Sequence, residues 1–266
     1  MEKEKYIMTQ NNKDEEHLKN EIKTETNNKT NNKTNNKNNN QAPIGVFDSG
    51  IGGTTVLKEL QKVLPNERFI YYNDSIHNPY GDKEDAEIIQ ICDNIVQYLI
   101  QKNCKMIVIA CNTASAKASE YLRKKYPHIP IIAIEPACKM VHDLAIQGTK
   151  TLIMATKGTI ESEKFQILVN KYCDENTYIL PCVGLADLIE NRKNEKDDIK
   201  IKKYLERELN KYKGKVKNVV LGCTHYPLIK ERIKEVLGEV EFFDGAKGVA
   251  KHAREVLEER TFGDGS

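Results

Sequence analysis

From Pro43 onward, short β-branched runs alternate with longer amphipathic stretches, and this alternation constrains the fold more than any other property of the chain. The runs are Ile44–Phe47, Arg68–Asn73, Met106–Ala110, Ile131–Ile134, Thr151–Ala155, Tyr178–Leu180, Asn218–Leu221 and Glu241–Phe243. Between them, stretches such as Thr54–Leu64, Asp85–Lys102 and Ser115–Lys125 repeat their apolar residues with the helical period. Strands that alternate with helices predict parallel sheets covered by helices, hence an α/β fold. In such sheets, ligands bind at the carboxyl ends of strands.

Residues 1–41 differ in kind. Asn/Lys/Thr repeats such as Asn27–Lys37 dominate, and apolar residues are few. Such a segment buries too little surface to offset its ordering entropy, so a disordered tail is expected over 1–41. The segment Lys193–Lys217 is dense in charge, and its apolar positions Ile199, Ile201, Leu205 and Leu209 predict an exposed helix with one buried stripe.

Forty-one basic residues against 39 acidic ones leave a net charge of +2, which gives no argument for nucleic acid or an anionic membrane as partner. No apolar run approaches the roughly 20 residues of a membrane helix. The polar N-terminus has no signal-peptide core. The seven cysteines are odd in number and form no CxxC pair, so neither a disulfide framework nor a zinc site is indicated. A reducing cytoplasm is the expected setting.

Two of those cysteines sit in matching contexts. Cys111 follows Met106-Ile-Val-Ile-Ala and precedes Asn112-Thr113; Cys223 follows Asn218-Val-Val-Leu-Gly and precedes Thr224-His225-Tyr226-Pro227. Each is placed at a strand end. A thiolate there gains from a following helix N-terminus. His225 stands two residues from Cys223, where it can tune its proton affinity. A thiol gives or takes a proton, and two facing thiols do both at one carbon. The pairing favours two similar halves of roughly 110 residues with a cleft between them. Cys92, Cys104, Cys138, Cys173 and Cys182 lack polar neighbours and read as packing residues.

Two further strand ends complete the constellation. In Gly45-Val-Phe-Asp-Ser-Gly-Ile-Gly-Gly53, Asp48 and Ser49 emerge where a buried strand stops, and Gly50, Gly52 and Gly53 permit tight turning and backbone N–H approach to an anion. The segment matches neither the P-loop nor GxGxxG. In Asn78-Pro-Tyr-Gly81, Tyr80 and Gly81 can offer a hydroxyl or an N–H to a ligand carboxylate, although Pro-Tyr-Gly is also an ordinary turn.

Taken together, Gly45–Gly53, Pro79–Gly81, Ala110-Cys-Asn-Thr-Ala114 and Leu221-Gly-Cys-Thr-His-Tyr-Pro227 resemble the glutamate branch of the cofactor-independent aspartate/glutamate racemase superfamily. The resemblance covers about residues 44–260. It implies two α/β domains with mainly parallel sheets and the active site in the cleft between them. The first would span 42–134 plus 246–266 and carry Cys111. The second would span 135–245 and carry Cys223. It implies interconversion of L- and D-glutamate without cofactor or metal, with D-glutamate supplied to peptidoglycan synthesis, and a cytoplasmic homodimer. Cys111 would take the α-proton of D-glutamate and Cys223 that of L-glutamate. Asp48 would assist Cys111, His225 would assist Cys223, and Glu190 would support the second side. Asp48, Ser49, Tyr80, Gly81, Asn112, Thr113, Thr224 and His225 match substrate contacts. The segment Asn73-Asp-Ser-Ile-His-Asn78 departs from the family's usual loop, as does the sequence around Glu190. Alternatives are a racemase for another acid such as aspartate, or a binding protein that keeps the cleft without turnover.

Overall fold

The computed structural model describes residues 6–10, 42–146 and 148–263. Two parallel sheets organise it. The first contains β1 (Tyr6–Gln10), β2 (Ile44–Asp48), β3 (Phe69–Asn73), β4 (Met106–Ile109) and β5 (Ile131–Ala133), in the order β1-β3-β2-β4-β5. The second contains β6 (Thr151–Ala155), β7 (Thr177–Pro181), β8 (Asn218–Gly222) and β9 (Glu241–Phe243), in the order β7-β6-β8-β9. Every strand pair is parallel. The eight strands read from the β-branched runs all form, with ends shifted by no more than a residue.

Side chains alternate between the two faces of each sheet, as a period of two requires. Met106, Val108 and Ala110 enter a core under α1 (Thr54–Val63) and α10 (Ala246–Gly263). Ile107, Ile109 and Cys111 enter the opposite core, under α2 (Asp85–Gln101) and α3 (Asn112–Lys125). In the second sheet Val219, Leu221 and Cys223 share a phase. They face a core closed by α7 (Leu185–Glu190), α8 (Glu195–Leu209) and α9 (Lys230–Leu237). Val220 and Ile153 face the other way, toward α4 (Cys138–Leu144) and α6 (Glu163–Tyr172). Each fully buried Leu or Ile in these layers contributes about 1.5–3 kcal/mol. The same alternation that builds the cores carries each cysteine past the end of its strand.

Two expectations need adjustment. Within the stretch expected to be disordered, Tyr6–Gln10 pairs with β3 as an edge strand; five residues without Pro or Gly suffice to extend a sheet edge. Residues 1–5 and 11–41 of that stretch lie outside the described residues. On α8, Ile201, Leu205 and Leu209 are fully buried as predicted, but Ile199 is 53% exposed and Tyr204 takes a place in the stripe. Ile199 stands two residues before Ile201, on the far side of a helix of 3.6 residues per turn. No helix among the described residues is long and apolar enough to cross a membrane.

Candidate active site

The carboxyl ends of β2, β4, β6 and β8 converge on one cleft of about 470 Å³. Cys111 and Cys223 both line it, with Ser49, Tyr80, Gly81, Asn112, Thr113, Thr224 and His225. Nine of the eleven residues expected at the site therefore share one wall system. Asp48 and Glu190 stand behind it.

Cys111 is the N-cap of α3, and its sulfur accepts the Ala114 N–H at 3.5 Å. Its thiol donates toward Ser49 Oγ at 3.6 Å. Burial, and then the charge of Asp48, push this thiol up to about 12, against the pull of the Ala114 N–H and Ser49. These influences together favour the neutral thiol of Cys111 in the free protein.

Cys223 has a different neighbour. Its sulfur lies 3.7 Å from His225 Nδ1, and the other ring nitrogen, Nε2, lies 2.7 Å from Glu190 Oε2. Burial alone would push the imidazole down. The hydrogen bonds to Cys223 and Glu190, with the charge of Asp48, outweigh it and hold the ring well above the usual histidine range. The ring thus lies between a sulfur and a carboxylate, an arrangement that favours its protonated form.

The glycine-rich turn after β2 locks this arrangement from the opposite sheet. Gly50 N and Gly53 N donate to Asp48 Oδ2 at 3.2 and 2.9 Å, and Ile51 N donates to Glu190 Oε2 at 2.8 Å. Thr224 Oγ1 donates to Asp48 Oδ1 at 3.2 Å. The anions that these N–H groups approach are thus two carboxylates of the chain itself. A Cβ on Gly50 would displace the Glu190 carboxylate, and one on Gly52 would lie 2.7 Å from the Thr224 backbone, where no side chain fits. Asp48 is fully buried, and burial pushes its carboxyl up despite the opposing pull of His225 and the two N–H groups.

On the other flank, the buried hydroxyls of Thr113 and Thr156 meet at 2.9 Å, and Thr156 meets Thr159 at 2.9 Å. Thr156 lines the cleft but was missed in the sequence. The available signal was its position directly after β6, the same carboxyl-end rule that marked the cysteines. Cys182, read as a packing residue, also forms part of the wall. Tyr80 is buried and its hydroxyl donates to Asp74, which also pairs with His77 Nδ1 at 2.8 Å. Its contribution to the cleft is consequently not its hydroxyl. Asn112 is buried, and its Oδ1 has no partner among the described residues. Among those residues no group of three or more His, Cys, Asp or Glu side chains is placed to hold a metal ion.

Fold and cleft together define a class: two parallel-sheet units, each offering one thiol from a strand end to a shared polar cleft. Comparison with known proteins resolves that class. The Asp/Glu/hydantoin racemase family model matches residues 55–253. The glutamate racemase of Clostridium perfringens (strain ATCC 13124) is 45% identical over 221 residues, which is 82% of this chain and 84% of the relative. That of Clostridium kluyveri is 44% identical over 218 residues, covering 81% and 84%. A glutamate racemase structure from Bacillus anthracis superposes with a TM-score of 0.72 at 31% identity, covering 82% of both chains. One from Francisella tularensis, in complex with D-glutamate, gives 0.69 at 32%, covering 83% of this chain and 82% of that one. The chain belongs to the Asp/Glu/hydantoin racemase family.

Proposed function

We propose that this chain is a glutamate racemase that inverts the α-carbon of glutamate with two thiols and no cofactor, supplying D-glutamate for peptidoglycan synthesis. The observation that carries the reading is the presence of Cys111 and Cys223 in one cleft, each on a different sheet and each with its own polar partners. The likeness to glutamate racemases across more than four-fifths of the chain supports the substrate.

The α-proton of an amino acid is very weakly acidic, and a free thiol has a pKa of only about 8.5. The barrier falls only in a water-poor site that stabilises a carbanion-like transition state. With L-glutamate, Cys223 takes the proton as a thiolate beside the His225 cation, while the Cys111 thiol delivers its own proton to the opposite face. With D-glutamate the roles exchange. The high pKa of Cys111 and the cation beside Cys223 support this allocation for the free enzyme. Glu190 acts through His225, and Asp48 through Thr224 and the field at Cys111. Both are positioning residues in this reading. Ser49, Tyr80, Gly81, Asn112, Thr113, Thr224 and His225 contact the substrate, with Asp48 holding Thr224 in place. The orphan Asn112 Oδ1 is an acceptor suited to the ammonium group.

The proposed domains are 42–134 plus 246–266, and 135–245. The return of α10 to pack beside α1 supports this boundary. A homodimer in the cytoplasm is the proposed setting, and sedimentation at the mass of one chain would overturn the dimer.

The test is incubation with L-glutamate in heavy water, following optical rotation and the α-proton NMR signal together. Loss of rotation with deuterium incorporation is expected, and Cys111→Ala and Cys223→Ala should each lower the rate by about 10²–10⁴-fold. Exchange on another acidic amino acid but not on glutamate would change the substrate. No exchange on any would overturn the reading.

A further inference from the structure

We infer that Asn78 is a specificity-determining residue that donates its side-chain N–H to the distal carboxylate of the substrate. The inference rests on the racemase reading for the substrate's identity. Asn78 lines the cleft, and its Nδ2 is buried with no hydrogen-bond partner among the described residues. A buried amide N–H without a partner is costly, and native structures rarely leave one so. An acceptor supplied by a ligand would resolve the cost.

The segment that follows Asn78 is tied down by hydrogen bonds. Two residues after Asn78, Tyr80 is pinned by its hydroxyl to buried Asp74. Three residues further on, Lys117 Nζ donates to the Lys83 carbonyl at 2.9 Å and pairs with Asp85 at 2.7 Å. With its neighbours held, the Asn78 amide has less to lose in ordering when a ligand binds.

The position within the cleft selects which carboxylate it meets. Asn112, Thr113 and Thr224 adjoin the two cysteines in the chain, so they flank the carbon on which the thiols act. Asn78 reaches the cleft from the loop after β3, next to Pro79 and Gly81, and serves the far end of the substrate. Of the Asp and Lys residues that line the cleft, Asp82 and Lys157 are exposed and opposite in sign and Asp187 adds a further negative charge, so these charges do not select an anion. The buried amide does, because it presents a donor where only an acceptor fits.

The test compares wild type with Asn78→Leu and Asn78→Asp, reading the Kd of glutamate by calorimetry, KM and kcat by α-proton exchange, and the melting temperature without ligand. Leu matches Asn in size and removes the orphan donor. Its ligand-free melting temperature should not fall, while Kd and KM rise by about ten- to a hundredfold and kcat stays within a few-fold. Asp places a second anion against the carboxylate and should weaken binding further. Unchanged Kd and KM in Asn78→Leu, or a loss of ligand-free stability in step with affinity, would overturn the inference. The calorimetric arm separates this from failure of the racemase reading. A wild type that binds glutamate but exchanges no α-proton refutes racemisation and still reports on Asn78.

Discussion

Glu190→Gln is the perturbation that bears most directly on how the second thiol works. Gln is the same size and keeps an acceptor for the Ile51 N–H, so the turn after β2 has no reason to shift. What changes is the charge opposite His225. In the wild type, Glu190 Oε2 is 2.7 Å from Nε2, with only 2% and 10% of the two side chains exposed, so solvent screens the pair little. A hydrogen bond to a charged partner contributes about 1.5–3 kcal/mol, and each 1.4 kcal/mol is about tenfold. Expected, then, is a loss of about ten- to a hundredfold in kcat/KM. The two enantiomers are equal in free energy in water, so the loss must be the same from L- and from D-glutamate. The pH profile carries the distinctive signature. Glu190 is one of the groups raising His225, so its removal lowers the ring's pKa, and the cation beside Cys223 is lost at lower pH. The alkaline limb of kcat/KM should move toward acid. Initial rates in both directions across neutral and alkaline pH read both quantities. A loss smaller than about threefold with an unmoved limb would refute the reasoning, since the carboxylate would then be a structural tie to Ile51 and nothing more.

Two further outcomes follow from the geometry. Tyr80→Phe leaves buried Asp74 short of a donor and should cost about 1–3 kcal/mol of stability by denaturant unfolding, with kcat/KM changed only a few-fold; a large catalytic loss with unchanged stability would place the hydroxyl in the cleft. Cys104 and Cys111 are both raised from 9.0 to about 12, so over that window the unfolded chain releases protons that the folded chain keeps. That stability is complete below pH 9.0 and is lost as pH rises toward about 12. Melting temperatures should fall across the window, and less steeply in Cys104→Ala; parallel slopes would refute the assignment.

Much of this arrangement was legible in the sequence because it depends on local pattern. Runs such as Met106–Ala110 announce a strand by composition alone, and the residue after a buried strand is where an α/β sheet exposes chemistry. Cys111 and Cys223 needed nothing more. What could not be read depends on contacts between distant segments. The glycine turn after Asp48 looks like an anion cradle, and it is one, but only the folded chain reveals that its anions are Asp48 and Glu190. The direction of the Tyr80 hydroxyl is set by Asp74 beneath it. Thr156 was overlooked because a lone Thr after a strand carries no motif. The edge strand Tyr6–Gln10 was hidden by the composition of its surroundings, since pairing needs a partner edge and not a hydrophobic neighbourhood in sequence.

The ties between the two sheets have a consequence for a chain during its synthesis. Ile51 meets Glu190 across 139 residues, and Asp48 meets Thr224 across 176. A nascent chain that has completed the first sheet already carries Cys111, yet it has neither the second thiol nor the hydroxyl and carboxylate that close the turn after β2. Such an intermediate holds an isolated thiol that lacks the facing wall of Cys223, Thr224 and His225. On the two-thiol reading proposed above, chemistry waits until β8 has emerged and docked, when most of the chain has been made.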